Sequence, residues 1–329
     1  MFRVLPANVG ASDSSDLSDL VQFDPLSASP LAWLAVATLV MYLIGAITLW
    51  VQGKRWGIGS TLSFVAGCTL WFAATGLSLN AYAGELVSVL LFQHITLMVA
   101  VPPLLLMGAP GRLLLRTTPR QGIGRPVLRV ALTGQRSRIS YALLHPAVAI
   151  VVAGLAFPAL YFTDAVSWIL AVPGGHLILL TLLFVSGVIA AAPLWSLDQL
   201  PRTPSYVVRL IDVVIEIQIH ALFGLILLRA GGALFSWYSD EPEEWGITRA
   251  LDQAIGGGLV WSYGELPLLI VLIVTLSKWR TSDLRAARHR QPQEDADLDE
   301  YNAYLAAVAA REGQPQFQSQ PTPNRETQP

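Results

Sequence analysis

The chain of 329 residues has a single cysteine, Cys68, so it can form no internal disulfide and holds no paired-thiol CxxC site. Charge is nearly as scarce. Only 13% of residues are charged against 53% hydrophobic, too little charged surface to solvate a soluble domain of this length, and the class implied is a membrane protein. No apolar core precedes Ala32, so a cleaved signal peptide is not expected. Internal repeats of useful length are lacking too, and no soluble domain is appended. The last apolar run has no lysine at mid-span, Lys278 standing at its end, which excludes a retinal Schiff base.

What the chain does have is apolar runs. They fall at 31–51, 58–79, 84–109, 141–162, 175–195, 206–229 and 255–277, each near the ~20 residues that cross a bilayer. The expected fold is an all-α, polytopic bundle of seven transmembrane helices. Three regions follow: an extracytoplasmic segment 1–30, a transmembrane domain 31–280 and a cytoplasmic tail 281–329. The fifth run is the weakest of the seven, because Pro193 shortens it and AVPGGH before it reads as a turn. In the tail, Leu298, Tyr301, Leu305 and Val308 share one face of a short amphipathic helix, a dock for a partner or the membrane, and the Pro- and Gln-rich terminus is expected to be disordered.

Charge is segregated by loop. Lys54 and Arg55, then Arg112, Arg116, Arg120, Arg125, Arg129, Arg136 and Arg138, then Arg202 and Arg209, then Lys278, Arg280, Arg285, Arg288 and Arg290 occupy alternate connections. Asp13, Asp16, Asp19 and Asp24, Glu85, Asp164, and Asp240, Glu241, Glu243 and Glu244 occupy the others. By the positive-inside rule the N-terminus is outside and the C-terminus cytoplasmic, with Arg229 and Arg249 as exceptions. The Arg-rich connection after the third run is first a topology signal, and its second reading is a site for anionic lipid head groups.

The third run, LFQHITLMVAVPPLLLMGAP, carries Gln93 and His94 in its first half and Pro102-Pro103 in its second. A proline pair frees carbonyls that need partners, so this helix belongs inside a bundle. An intramembrane imidazole also faces inward, and Met98, at i+4, shares its face. On the sixth run Asp212, Glu216 and His220 recur at i, i+4 and i+8, a polar stripe that either lines a site or locks helices together. Counted from the assigned outer ends, His94, His220, Glu265 and Cys68 all lie ~15 Å deep by the helical rise. Imidazole with thioether suits Cu(I), and His94, Met98 and His220 are the preferred ligands, with Cys68 and Met107 read as core. His176 reads as an interfacial side chain or a first contact for the metal, His145 opens the fourth run, and His289 is solvated.

Two ordered motifs resemble one family. Gln93-His94, Pro102-Pro103 and Gly108-Ala109-Pro110 match the QH, PP and GAP pattern of the CtaG family of cytochrome c oxidase assembly factors. Asp252-Gln253, Gly257-Gly258, Trp261 and Gly264-Glu265 with Pro267 match its DQ, GG, W and GE-x-P pattern, and Val260 stands where many members are expected to carry Met. The likeness runs from about residue 31 to 288. It implies a bacterial plasma-membrane protein, not an enzyme, that helps mature a haem-copper oxidase, with oxidase subunits, a copper donor protein and the bilayer as partners and no nucleic acid. Asp212, Glu216, Asp252, Gln253 and Glu265 are then supporting residues. Asp252 reads either as a cap for its own helix or, with Gln253, as a docking or gating pair. Two other readings remain: a haem-binding electron carrier with His94 and His220 as axial ligands, and a metal-free scaffold for oxidase subunits.

Overall fold

A computed structural model describes residues 17–23, 25, 28–122, 124–135, 137–195, 197–198, 205–235, 237–238 and 245–312. Asp13, Asp16, Asp24, Arg136, Arg202, Asp240, Glu241, Glu243, Glu244 and the Pro- and Gln-rich terminus lie outside them. The described residues are helical apart from turns, with one isolated bridge between Phe23 and Leu77 and no strand. Six helical stretches are long and apolar enough to cross a membrane, or seven if one bent pair counts as a span.

Local side-chain caps open some of the spans. Ser29 accepts from Leu31 N–H ahead of Pro30 to open α1 (Pro30–Val51), which packs on α2 (Ile58–Gly76). A single turn, α3 (Leu79–Tyr82), leads to the third span. That span is composite: α4 (Val87–Ile95), a π turn at Thr96–Ala100, then α5 (Val101–Met107). Pro102 and Pro103 bring no N–H, so the Met98 carbonyl has neither an i+4 nor an i+5 donor, and the ladder is disturbed at the turn that precedes them. Over Val87–Thr117 83% of the apolar window is buried, against 28–44% for the other single spans, which makes this the central helix. It meets α2 on one side, and α11 and α13, defined below, on others.

Ala109 takes φ 50°, the left-handed region, between Gly108 and Pro110, and turns the chain into α6 (Pro110–Thr117). Asp198 accepts from Gly111 and Arg112 N–H, each at 2.8 Å, and so caps α6 from a distant connection. The Arg-rich segment continues as two short helices, α7 (Gly124–Gln135) and α8 (Arg138–Leu143).

The fourth apolar run departs from expectation. His145 Nδ1 accepts from Ala147 N–H and starts α9 (Pro146–Tyr161), so the helix begins five residues later than the run at 141. It then breaks, and α10 (Ala165–Ala171) leaves at 73°. The fifth run, expected to be the weakest, is instead α11 (Gly175–Trp195), 21 residues with the highest hydropathy of any span, and Pro193 is accommodated in its last turn. Ser205 caps α12 (Tyr206–Arg229), the sixth span, and Thr248 caps α13 (Arg249–Ser262). After a break at Tyr263-Gly264 the helix resumes as α14 (Glu265–Glu312).

Small residues set two of the closest approaches. A Cβ on Gly256 would meet Leu91 and Ser88 of α4, and one on Gly257 would meet the backbone of Gly224 and Leu228 of α12, so α13 is wedged between both; Gly258 faces open space. The contacts divide the chain into two units, Met1–Leu276 and Ser277–Pro329. Within the second, the expected short amphipathic helix is part of one continuous helix to Glu312, on which Leu298, Tyr301 and Leu305 are exposed.

Candidate functional site

The central helix presents two polar centres. In the first, Gln93 and His94 are completely buried. Gln93 Nε2 donates to the Ala74 carbonyl on α2 at 2.7 Å, and its Oε1 pairs with His176 Nε2 on α11 at 3.1 Å. His176, partly buried near the start of α11, thus turns its ring toward the central helix. His94 Nδ1 is bonded to the hydroxyl of Tyr161, the last residue of α9, while its Nε2 has no partner among the described residues.

The second centre is a cavity of about 20 Å³, room for a single water or ion, between the π turn, α11, α12 and the start of α14. Met98, Glu216 and His220 supply its polarisable and polar wall, while Gly187, Ala190 and Pro267 contribute small or apolar surface. Gly187 is there for the backbone: any Cβ would collide with the Met98 carbonyl, so α11 lies directly on the π turn. The α12 stripe points inward along its whole length, with Asp212, Glu216 and His220 all at most 4% exposed. Asp212 Oδ1, Glu216 Oε1 and both ring nitrogens of His220 have no hydrogen-bond partner among the described residues. Buried polar atoms of this kind are costly in an apolar bundle, which makes this cavity the candidate site.

Met98 and His220 are thus brought together, and His94 is not with them. The cavity lining takes in Met98 from the π turn and His220 from α12 and does not include His94. Between the two centres lie rings. Phe157 meets His220 edge-on at 5.6 Å between centroids and stacks on Tyr161 at 6.0 Å, and Tyr161 sits 5.8 Å from the His94 ring. Cys68 belongs to another cluster, packed with Phe64, Trp71 and Leu105. Glu265 begins α14 with a buried Oε1 that has no partner among the described residues, close in sequence to the cavity wall at Pro267 and Leu268 but not part of it. Among the described residues no three His, Cys, Asp or Glu side chains form a metal-holding group.

The Asp252-Gln253 pair departs from the reading of Asp252 as a cap for its own helix, which Thr248 caps instead. Asp252 is wholly buried and accepts from Val87 N–H at 2.7 Å, Ser88 N–H at 3.0 Å and Ser88 Oγ at 2.5 Å, so it caps α4 and not its own helix. Arg249 pairs with it at 3.4 Å and donates to the Glu85 carbonyl. Gln253 Oε1 accepts from Leu234 N–H, and Nε2 reaches the carbonyls of Leu227 and Gly232. Both side chains are buried and bonded internally. Tyr161 and Asp198 were absent from the sequence reading: a tyrosine at a span end reads as an interfacial anchor, and an aspartate in a connection carries no mark of the helix it caps.

These features define a class: a polytopic helical bundle whose central, π-turned helix carries buried polar centres. The family is more specific. The sequence pattern of the cytochrome c oxidase caa3 assembly factor (CtaG) family matches residues 40–282, and the chain belongs to that family. Similar proteins of uncharacterised function occur in Mycobacterium bovis and Mycobacterium tuberculosis, each 29% identical over 282 residues. Another, in Mycobacterium leprae, is 28% identical over 283 residues. The matches cover 83–84% of this chain and 43% of those relatives, so the chain spans less than half their length. No solved structure matches it.

Proposed function

We propose that the protein assists maturation of a haem-copper cytochrome c oxidase in a bacterial plasma membrane by holding Cu(I) as cargo, without catalytic turnover. The observation that carries this reading is the cavity: a thioether, an imidazole with two unpartnered nitrogens and a carboxylate around a space the size of one ion. Sulfur and imidazole favour Cu(I) over harder cations, and Glu216 offsets its charge. Met98 and His220 are the ligands, with Asp212 supporting Glu216 one turn away. His94, expected in the same set, belongs to the other centre. Phe157 and Tyr161 fill the space beside His220 and His94 where an axial-ligand reading needs a porphyrin.

In this reading the N-terminal side is outside, and α6 to α8, with Arg112, Arg116, Arg120, Arg125, Arg129 and Arg138, face the cytoplasm. Arg249 is no longer an exception, since its charge is buried against Asp252. Copper is delivered from the outer side to oxidase subunits, with a donor protein upstream.

The test is copper content of protein purified in detergent under reducing conditions, alongside oxidase activity of the parent membranes. Met98→Leu and His220→Ala are each expected to remove the cavity-bound copper and most oxidase maturation while the bundle still accumulates. Unchanged copper in both variants overturns the cavity as the cargo site. Impaired oxidase from a deletion, with no copper in the wild-type protein, favours a metal-free scaffold.

A further inference from the structure

α1 and α6 meet at a basic end of the bundle. Glu85 is the one acidic residue between Asp24 and Asp164, whereas the connections after α1 and α5 hold Lys54, Arg55 and every arginine from Arg112 to Arg138. Asp198 reaches α6 from a distant connection, where two backbone N–H groups donate to it and Arg112 lies 3.8 Å away. Lys54, Arg55 and Arg116 have no carboxylate at ion-pair distance among the described residues. The backbone and two rings bring them together. Gly53, at φ 68°, ends α1 with its N–H bonded to the Trp50 carbonyl and that of Lys54 bonded to the Leu49 carbonyl, the paired closure that a left-handed residue makes. Trp56 Nε1 then donates to the Tyr42 hydroxyl, which donates to the Gly108 carbonyl, so the indole is held between α1 and the turn that opens α6. Arg116 lies over this ring, 5.7 Å from its centroid, and donates to the Arg55 carbonyl at 3.1 Å. It is thereby brought from α6 to Lys54-Arg55, and neither a ring nor a carbonyl neutralises it. Like charges gathered in this way repel one another unless an anion sits among them.

The neighbouring surface says which anion. On α1, Ile44, Ile47 and Val51 form one exposed apolar stripe at i, i+3 and i+7 that ends three residues before Lys54. Trp50 and Trp56 mark the level at which indole rings sit between hydrocarbon and water. A free phosphate gains nothing from such a stripe, and the acyl chains of a lipid do. The surface continues on α7, where Val127 and Val130 are exposed across the helix from Arg125 and Arg129, the pattern of a helix lying in the interfacial plane. We propose that Lys54, Arg55 and Arg116, with Trp56, form a site for the head group of an anionic phospholipid whose acyl chains run along Ile44, Ile47 and Val51. Arg116 keeps one N–H on the Arg55 carbonyl and turns others to a phosphate oxygen, while Lys54 and Arg55 supply charge from the end of α1. The site depends neither on copper nor on which face of the bundle is cytoplasmic.

The test uses the full chain in nanodiscs of phosphatidylcholine with and without phosphatidylglycerol. Gentle detergent extraction and native mass spectrometry then count the lipids that stay bound, and thermal melting shows that each variant is folded. Wild-type protein is expected to retain phosphatidylglycerol in preference to phosphatidylcholine. Arg116→Gln and Lys54→Gln should each weaken retention about 5-fold, and the variant lacking all three cations roughly 100-fold, on the scale of basic residues at an anionic bilayer. Arg116→Lys, which keeps the charge, should lose less than Arg116→Gln, and Arg229→Gln, at the C-terminal end of α12, should change nothing. Equal retention of the two lipids, or an equal loss with Arg229→Gln, overturns the site. If inorganic phosphate displaces the retained lipid as well as short-chain phosphatidylglycerol does, the apolar stripe plays no part and the lipid assignment falls. It falls too if a photocrosslinking residue in place of Gln52 captures a protein chain in membranes and no lipid.

Discussion

At the scale of single residues, Asp252 shows how a motif acts at a distance. Its carboxylate takes three donors from the first turn of α4, which holds the N-terminus of the central helix, and Arg249 balances its charge. Asp252→Ala leaves buried donors and a buried guanidinium unpaired, and a loss of ~3–5 kcal/mol is expected from breaking such a pair. Thermal unfolding in detergent should show it, with Asp252→Asn milder because an amide oxygen still accepts. A shift no larger than that of an exposed control such as Asp283→Ala would refute the capping role. The residues of this pair were legible in the sequence, but their partners were not, because capping in trans leaves no spacing to read. The α12 stripe was more legible: i, i+4, i+8 fixes one face whatever packs against it, and Asp212, Glu216 and His220 are all buried. Equal depth could not tell that His94 and His220 serve separate centres. The defects of His94→Ala and His220→Ala in oxidase activity of membranes are accordingly expected to multiply in the double variant; a double no worse than either single would return them to one site.

At the scale of elements, the π turn is what turns a span into a cavity wall. Two successive prolines deny the Met98 carbonyl its donors, and Gly187 lets α11 close over the gap. Replacing both Pro102 and Pro103 by Ala restores the N–H groups and removes the reason for the wider turn, which re-aims Met98 relative to α11 and α12. The bundle should then melt no lower than wild type, since each proline is unfavourable inside a helix by ~3 kcal/mol relative to Ala, while copper at the cavity and oxidase maturation fall. Loss of stability with the cavity intact would show that the prolines serve packing alone. Gly187→Ala acts oppositely: its Cβ overlaps the Met98 backbone, and a destabilisation of ~1–3 kcal/mol is expected from overpacking, read as a lower melting point. The proline pair announced a disturbed helix in the sequence, but the form of the disturbance depends on what packs at Met98. The fourth span was misjudged for a related reason. Continuous apolarity over 141–162 hides both the cap at His145 and the break after Tyr161, because lipid-facing and core-facing residues are equally apolar in such a run.

At the scale of the whole molecule, the apolar runs carry most of what was legible, because the bilayer constrains their length directly, while the loop charges predict an orientation. The orientation has a direct test. The chain has one thiol, Cys68, buried at 1% exposure, so replacing it by Ser removes the background for labelling. New cysteines at Arg129, on exposed α7, and at Gly232, in the exposed connection after α12, lie on opposite faces if α6 to α8 are cytoplasmic. An impermeant thiol reagent applied to intact cells should label position 232 and spare 129, and permeabilisation should expose both. The reverse pattern inverts the bundle. It would also turn His176 toward the cytoplasm, and copper would then reach the central helix from a reducing compartment and not from outside. Labelling of both positions in intact cells would mean that an odd number of crossings no longer separates them, the result expected if α9 and α10 together fail to span.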